Sequence, residues 1–215
     1  MSAGCICPLC RGADTREYHR DRERSYRQCP VCALIFVPRI YHLSRAAEKA
    51  QYDLHRNGPL DAGYRHFLSR MTVPLAARLE PASTGLDFGS GPGPTLCVML
   101  EALGHRVTNF DPFYAPNAGA LEQRYDFVTA TEVVEHLSTP GAVLFQLWAL
   151  LVRGGWLGLM TQPAVKEADF GAWHYKNDPT HVAFFAHSSF LWLGAQWGVE
   201  PQFFTGGVVL FRKPL

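Results

Sequence analysis

Charge is scarce in this sequence and is not biased toward either sign. Lysine, arginine, aspartate and glutamate together make up 18% of the 215 residues, and the formal net charge is +1. A chain with so small an excess has no strong field to attract nucleic acid or anionic lipid. Binding driven by bulk charge is therefore not expected, and a contact with nucleic acid would need a local basic surface.

Long uninterrupted apolar segments are also missing. The most apolar stretch, residues 142–160, is broken by Gln146, Arg153 and the Gly154-Gly155 pair. It predicts a buried helix followed by a strand, and no membrane span. The first residues lack a basic segment followed by an apolar core, so no signal peptide is expected. We therefore predict a cytoplasmic protein with no membrane partner.

Cysteine is rare outside the first 32 residues, which hold five of the six. Four of these five form two Cys-x2-Cys pairs that are 18 residues apart: Cys7, Cys10, Cys29 and Cys32. Zinc prefers four thiolates in a tetrahedron, and this spacing is typical of zinc ribbons. Because a segment of about 40 residues is too short to fold around a core of its own, we predict a structural zinc ribbon at residues 1–40. Cys5 is an alternative ligand to Cys7, and Cys97 is expected in the core.

The segment between the two cysteine pairs, residues 11–28, carries six arginines and four acids. A basic hairpin that contacts RNA is one interpretation. A solvated hairpin around the metal is favoured, because the local excess of positive charge is small.

From about residue 81 the chain alternates between strand-like and helix-like segments. Short apolar runs predict strands at 85–88, 106–110, 127–130, 156–160, 202–204 and 208–211. Helices are predicted at 95–103, 142–151 and 188–197. This alternation predicts an α/β fold with a mostly parallel, doubly wound sheet in residues 81–215. Residues 41–80 are interpreted as a helical connector or lid with a break at 57–59.

A glycine-rich turn joins the first of these strands to the first helix. Its sequence is Asp87-Phe88-Gly89-Ser90-Gly91-Pro92-Gly93-Pro94, and glycines at this edge of a sheet let a cofactor approach the backbone. A dinucleotide site would show G-x-G-x-x-G spacing and free N–H groups for a pyrophosphate. Here the spacing is G-x-G-x-G, and Pro92 and Pro94 lack a backbone donor. The turn therefore predicts a cofactor without phosphates.

Four motifs in order make this region resemble the class I S-adenosylmethionine-dependent methyltransferases. They are the turn at 87–93, the strand end at Asp111, the segment 125–137 and the turn at 151–155. The resemblance implies a Rossmann-like fold with a C-terminal antiparallel strand pair. It also implies a cofactor site formed by Asp87, Gly89, Ser90, Gly91, Gly93, Asp111, Pro112, Phe113, Thr131 and Glu132, in which Asp111 accepts the ribose hydroxyls. A Cys-Pro-x-Cys ribbon resembles a subset of these enzymes, some of which act on sugars or RNA.

The sequence departs from that family after Asp111. Only 13 residues separate Asp111 from Tyr125, where the family usually has a helix, a strand and an acid near the adenine. We therefore expect that helix to be nearly absent. Glu122 is a candidate for the adenine contact, and Phe113 and Tyr114 are candidates for the walls of the adenine site.

Two glutamates and two histidines form the candidate catalytic group. Glu132, Glu135 and His136 stand at i, i+3 and i+4, which share a face of one helical turn, and His181 lies in a later loop. Such a set would suit a second, divalent cation, and it resembles the cluster of small-RNA 2′-O-methyltransferases and some quinone O-methyltransferases. Many class I methyltransferases carry the same segment without a metal. We favour that alternative, with His181 or His136 as general base.

The predicted function is methyl transfer from S-adenosylmethionine to an unidentified acceptor, a small-molecule hydroxyl or similar nucleophile. The alternatives are an RNA or protein methyltransferase that holds its target with the ribbon, and a non-catalytic adaptor. Trp173 and Tyr175 lie after the predicted strand 156–160, where they either stack on a planar acceptor or close the loop over the core.

Overall fold

Two β-sheets organise the chain, of which the computed structural model describes residues 5–54 and 57–215. The small sheet has four antiparallel strands in the order β1-β2-β3-β8. These are β1 (Arg16–Arg20), β2 (Ser25–Gln28), β3 (Ile35–Phe36) and β8 (Ala183–Phe184). The large sheet has six strands: β4 (Thr84–Phe88), β5 (Arg106–Phe110), β6 (Tyr125–Thr131), β7 (Leu151–Met160), β9 (Gln202–Phe204) and β10 (Val208–Arg212).

The large sheet has the order β5-β4-β6-β7-β10-β9. Strands β4 to β7 are parallel, and β10 runs antiparallel to both β7 and β9. This confirms the predicted α/β, Rossmann-like fold with a C-terminal antiparallel strand pair. Strand β6 is buried along most of its length, as expected of a central parallel strand covered on both faces.

Six α-helices complete the described chain: α1 (Arg45–Tyr52), α2 (Ala62–Ala76), α3 (Thr95–Glu101), α4 (Pro140–Leu150), α5 (Glu167–Phe170) and α6 (His187–Trp197). Helices α2 and α3 bury Leu68 and Leu96 in one apolar cluster with Phe127 of β6. Helices α4 and α6 bury Leu144 and Phe190 in another cluster, with the opposite face of β6. The two clusters are the two layers of a doubly wound fold.

The segment after β5 is as short as the sequence predicts. Between Asp111 and Tyr125 the only helix is a single 3-10 turn, Ala118–Leu121, and β5 is the edge of the sheet. One strand is longer than predicted. Helix α4 ends at Leu150 and β7 begins at once at Leu151, which pairs with Tyr125.

The N-terminal cysteine-rich segment packs directly against the α/β region. The carbonyl of Pro8 accepts a hydrogen bond from the N–H of Gly141, at 3.2 Å. A Cβ atom at Gly141 would lie only 2.2 Å from the carbonyl oxygen of Leu9, so glycine is required for this close approach. Strand β3 pairs with β8, which belongs to the C-terminal third of the chain. The small sheet is therefore built from both ends of the sequence.

No helix in the described part of the chain is both long enough and apolar enough to cross a membrane.

Candidate active site

A cavity of about 530 Å³ opens where β4, β5 and β6 end. In parallel α/β sheets, ligands bind at this carboxyl edge. Nine of the ten cofactor residues expected from the sequence line the cavity: Gly89, Ser90, Gly91, Gly93, Asp111, Pro112, Phe113, Thr131 and Glu132. All four candidate catalytic residues line it as well: Glu132, Glu135, His136 and His181. The fold thus gathers residues from three strand ends and one distant loop around a single space.

The glycine turn owes its shape to two residues with positive φ. Gly89 has φ +77° and Gly91 has φ +64°, a region that side chains disfavour. A Cβ at Gly89 would lie 2.4 Å from the Val133 side chain, whereas none of the described atoms lies within 4 Å of a Cβ built on Gly91. The space at Gly91 leaves its backbone open to a ligand. Gly93 differs, because a Cβ there would meet the carbonyl of Asn57 in the connector at 2.5 Å.

Asp111 braces the turn with its carboxylate. One oxygen, Oδ2, accepts a hydrogen bond from the N–H of Gly91 at 3.0 Å. The other, Oδ1, accepts from the N–H groups of Phe113 at 2.8 Å and Tyr114 at 3.0 Å. A carboxylate offers about four acceptor positions, so Oδ2 retains one for a ligand. The residue is therefore both a structural brace and a candidate binding group.

Two of the expected cofactor contacts lie outside the cavity. Asp87 is 4% exposed and accepts a hydrogen bond from the Thr129 hydroxyl at 2.9 Å, and it does not line the space. Burial, with a smaller contribution from the charge of Asp111, raises the pKa of Asp87 to about 7. Glu122 is exposed at the end of the 3-10 turn and is also absent from the lining. In the described chain, Phe113 and Tyr114 remain beside the cavity as candidates for the adenine walls.

Three buried polar atoms around the cavity have no hydrogen-bond partner among the described residues. They are Ser90 Oγ, Thr131 Oγ1 and Glu135 Oε2. An unsatisfied buried polar atom costs about 1–3 kcal/mol, and such groups in native proteins are normally satisfied. Their convergence on one cavity indicates a polar ligand.

The glutamate pair at the far end of the cavity has a different backbone from the expected helical turn. Glu132 has φ +53° and precedes a single 3-10 turn, Val134–His136. The prediction that Glu132, Glu135 and His136 share one helical turn was therefore wrong. A left-handed non-glycine residue costs of order 1–3 kcal/mol and is typical of functional sites.

Tyr175 joins the two glutamates. Its hydroxyl donates to Glu135 Oε1 and lies 3.3 Å from Glu132 Oε2. Burial, and next the charge of Glu135, raise the pKa of Glu132 to about 8. Burial also raises the pKa of Glu135. A phenol has one proton, so the Tyr175 hydroxyl donates to only one of the two glutamates at a time.

His181 is oriented by the backbone of its own loop. Its Nδ1 lies 2.7 Å from the carbonyl oxygen of Tyr175. A carbonyl only accepts, so Nδ1 carries the proton and Nε2 has the lone pair. Burial, and next the neighbouring His136, lower the pKa of His181, and the two rings lie 4.7 Å apart.

Three of the four residues considered for a divalent cation come together. One ligand atom from each of Glu135, His136 and His181 lies within 4.8 Å of the other two, and Glu132 is not part of this group. The separation of the two histidines is therefore compatible with a shared ion, although Glu135 also accepts from Tyr175.

The connector supplies residues that the sequence did not assign to the site. Tyr52, Tyr64 and Phe67 line the cavity, and the Tyr52 ring packs edge-on against His136 at 5.3 Å. The aromatic content of residues 41–80 was visible, but nothing in its spacing distinguishes a lid from a core. Of the two loop aromatics, Trp173 packs in the cluster around Phe184, away from the cavity lining.

The four ribbon cysteines form a separate cluster in which all Sγ atoms lie within 4.8 Å of one another. The Cys7–Cys32 and Cys10–Cys29 Sγ distances are 3.5 and 3.4 Å. Four thiolates bound to zinc at about 2.3 Å would be about 3.8 Å apart, so the cluster is close to the required size. Cys5 is not a member of the cluster.

The two cysteine pairs have the same backbone geometry. In the first pair, the N–H of Arg11 donates to Cys7 O, and the N–H of Cys7 donates to Gly12 O. In the second pair, the N–H of Ala33 donates to Cys29 O, and the N–H of Cys29 donates to Leu34 O. Arg11 and Ala33, each directly after a pair, have φ +67° and +56°. The same strained turn therefore follows both cysteine pairs, whose sulfurs lie in one cluster.

Comparison with known proteins agrees with this architecture. The sequence profile of a methyltransferase domain matches residues 60–201. No curated protein sequence matches the chain. Among solved structures, one of similar fold is the 1,6-didemethyltoxoflavin-N1-methyltransferase of Burkholderia thailandensis, with 1,6-didemethyltoxoflavin and S-adenosylhomocysteine bound. Its TM-score is 0.54 and its sequence identity is 17%, and the alignment covers 94% of this chain and 100% of that one. DesVI of Streptomyces venezuelae has a TM-score of 0.50 and 12% identity, with 81% and 100% covered.

At such identities the structural likeness shows a shared fold and identifies no acceptor. The profile match covers more than half of the chain and includes the glycine turn, both glutamates and both histidines of the cavity. The chain therefore belongs to the methyltransferase-domain family and is an S-adenosylmethionine-dependent methyltransferase.

Proposed function

We propose that the cavity binds S-adenosylmethionine at its glycine-turn end and a small-molecule acceptor, with a hydroxyl or similar nucleophile, at its glutamate–histidine end. The observation that carries this proposal is that one cavity contains nine of the expected cofactor residues and all four candidate catalytic residues. The Burkholderia enzyme of similar fold, solved with 1,6-didemethyltoxoflavin and S-adenosylhomocysteine, supports it.

The residues of the glycine-turn end fit this cofactor. Bound S-adenosylmethionine would supply an activated methyl group on a sulfonium centre. The open backbone at Gly91 and the remaining acceptor position of Asp111 Oδ2 would meet the ribose. Ser90 Oγ and Thr131 Oγ1, both buried without partners in the described chain, would gain polar contacts. Phe113 and Tyr114 would flank the adenine.

The charge of the cavity favours a neutral or cationic acceptor. In the described chain its lining includes five acids and no lysine or arginine: Glu48, Asp111, Glu132, Glu135 and Asp178. A phosphate or carboxylate on the acceptor would meet these acids without a matching cation, at an electrostatic cost. This argues against the RNA backbone as the group bound here.

The arginines of the ribbon hairpin also weaken the RNA alternative. Arg24 is buried, and Arg27 donates to the Thr15 hydroxyl and carbonyl. Arg20 pairs with Glu17. Arg16 donates to Gln28. Four of the six arginines therefore have protein partners, which leaves less basic surface for phosphates.

His181 is proposed as the general base. Its Nε2 carries the lone pair, because Nδ1 donates to Tyr175 O, and burial lowers its pKa, which favours the neutral form. It would accept the acceptor's proton as the nucleophile attacks the methyl group, a role worth about 10²–10⁴ in rate. The remaining contribution of the protein is alignment and exclusion of water by the connector.

A second cation, held by Glu135, His136 and His181, is the alternative to a plain base. It is supported by the proximity of their ligand atoms and by the partnerless Glu135 Oε2. It would lower the pKa of an acceptor hydroxyl. We favour the metal-free version, because Glu132 lies outside the group and Tyr175 engages the other oxygen of Glu135.

The cysteine cluster is proposed to bind one structural zinc ion through Cys7, Cys10, Cys29 and Cys32. We further propose three regions: the ribbon at 1–40, the connector at 41–80 and the methyltransferase domain at 81–215. The contacts of β3 with β8 and of Leu9 with Gly141 mean that the ribbon would stabilise the domain and not move freely from it.

The proposal is tested by calorimetry and a methylation assay on the full chain. S-adenosylhomocysteine should bind and NAD should not compete. Radiolabelled methyl transfer should occur with a panel of neutral and amine-bearing hydroxyl compounds, and not with structured RNA at physiological salt. Absence of S-adenosylhomocysteine binding would favour the adaptor, and salt-sensitive labelling of RNA would favour the macromolecular acceptor.

A further inference from the structure

The ribbon reaches the acceptor end of the cavity through one buried arginine. Arg24 lies in the turn between β1 and β2 and is 7% exposed. Its guanidinium donates to the carbonyl oxygens of Asp178 at 2.8 Å and His181 at 3.0 Å, and to those of Lys176 and Pro179. Its Nε donates to the Tyr26 hydroxyl at 2.9 Å. All these carbonyls belong to the segment 176–181.

This hydrogen-bonding pattern uses the full capacity of the side chain. A guanidinium has five N–H donors in a rigid fork, and five acceptors surround it. A buried arginine normally faces a carboxylate, whereas here four of the five acceptors are main-chain carbonyls of one loop. Arg24 therefore holds a backbone conformation instead of neutralising a charge.

A second contact from the same turn holds the same loop. The Asp21 carboxylate accepts hydrogen bonds from Lys176 Nζ and the Tyr26 hydroxyl, both at 3.0 Å. It also accepts from the N–H of Arg24 at 2.9 Å. Beyond the loop, the N–H of Val37 donates to Val182 O, and β3 pairs with β8. The ribbon thus contacts residues 176–184 through Arg24, Asp21, Val37 and strand β3.

The opposite side of this loop faces the cavity. Asp178 and His181 are cavity-lining residues, and Arg24 is not. The N–H of Val182 donates to Glu135 O at 2.8 Å, which ties the loop to the glutamate pair. A change in the loop backbone would move Asp178 and His181 together, because their carbonyls share the guanidinium.

We propose that Arg24 is a positioning residue, through which the ribbon holds residues 176–181 so that His181 presents Nε2 to the acceptor. The inference rests on the proposed function, because that function places the acceptor at this end of the cavity. It assigns the ribbon a role inside the catalytic unit, since its hairpin acts on a cavity loop and not on an external target.

The test uses Arg24→Met in the full chain, which removes the donors and keeps much of the length and apolar volume. Arg22→Met, at an exposed position of the same turn, is the matched control. Amide hydrogen exchange of residues 174–182 should accelerate by at least about tenfold in Arg24→Met, because each lost charged hydrogen bond is worth about a factor of ten or more. Zinc content and S-adenosylhomocysteine affinity should stay within about twofold of the wild type.

The second readout is the tautomer of His181, from long-range ¹H–¹⁵N spectra of histidine-labelled protein. Wild type and Arg22→Met should show the Nδ1–H form, and Arg24→Met should show exchange between tautomers as Tyr175 O is released. Arg24→Lys should give an intermediate exchange rate, because lysine keeps the charge and three donors.

An unchanged tautomer and unchanged exchange in Arg24→Met would overturn the inference. Equal acceleration in both sheets with loss of zinc would also overturn it, since Arg24 would then be a general stability residue. If Arg24→Met does not fold, the same measurements are made on Arg24→Lys. A His181 spectrum identical to that of the wild type in Arg24→Lys would then contradict the inference. Failure of the wild type to bind S-adenosylhomocysteine would refute the proposed function separately, because neither loop readout requires the cofactor.

Discussion

Replacement of Asp111 by alanine tests the cofactor end of the cavity most directly. The substitution removes three hydrogen bonds from backbone N–H groups, those of Gly91, Phe113 and Tyr114. It also removes the acceptor proposed for the ribose. The Asp111 side chain is only 6% exposed, so water cannot replace all of these bonds without a change in the turn.

The substitution should change two quantities that are measured separately, the affinity for S-adenosylhomocysteine and the stability of the free protein. Loss of a charged acceptor for ligand hydroxyls costs about 1–3 kcal/mol, which corresponds to an increase of about 5- to 150-fold in the Kd for S-adenosylhomocysteine. Each released N–H group that water does not reach should also lower the stability of the free protein by about 1–3 kcal/mol. Calorimetry measures the first effect, and thermal unfolding without ligand measures the second.

Asp126→Ala is the matched control. The Asp126 carboxylate also holds backbone, since it accepts from the N–H and hydroxyl of Thr84 at 2.7 and 2.9 Å, but it does not line the cavity. It should lose stability and keep its affinity. If Asp111→Ala also keeps its affinity within about twofold while losing stability, the carboxylate is only a brace for the turn and the ribose assignment is refuted.

Three further predictions concern the ribbon, the proposed base and the packing of the ribbon against helix α4. Metal analysis should find about one zinc per chain. The Cys29→Ser variant should lose this zinc and should destabilise the N-terminal segment more than the rest of the chain. Folded, metal-free protein with four titratable thiols would contradict the zinc ribbon. His181→Ala should lower the methylation rate by about 10²- to 10⁴-fold. Chelators should leave wild-type activity unchanged as long as the ribbon keeps its zinc. Loss of activity on chelation, restored by magnesium, manganese or cobalt with zinc unchanged, would instead support the cation of Glu135, His136 and His181. Gly141→Ala should lower thermal stability by about 1–3 kcal/mol, because its Cβ would lie 2.2 Å from Leu9 O; an unchanged melting temperature would show that the first cysteine pair does not depend on this contact.

Local patterns in the sequence were enough to predict the fold class, the cysteine cluster and most of the residues that line the glycine-turn end of the cavity. The spacing of Cys7, Cys10, Cys29 and Cys32 predicted that they would meet, because each pair is a tight turn and two such turns satisfy one ion. The glycine turn and the strand end at Asp111 were likewise readable, since strand ends in a parallel sheet lie along one edge. In each case the signal is carried by short local motifs.

Tertiary packing decided the rest, because it depends on which side chains meet across long stretches of sequence. Asp87 belongs to the same motif as Gly89 but faces Thr129 inside the sheet, a direction that only the pairing of β4 with β6 determines. Glu132 leaves the helical spacing through a left-handed backbone, and Tyr175 lies between it and Glu135. Arg24, one of six similar arginines in its segment, is distinguished by its burial against a loop about 150 residues away. Composition and periodicity do not predict such contacts between distant residues, because the partner of a buried polar group depends on the whole fold.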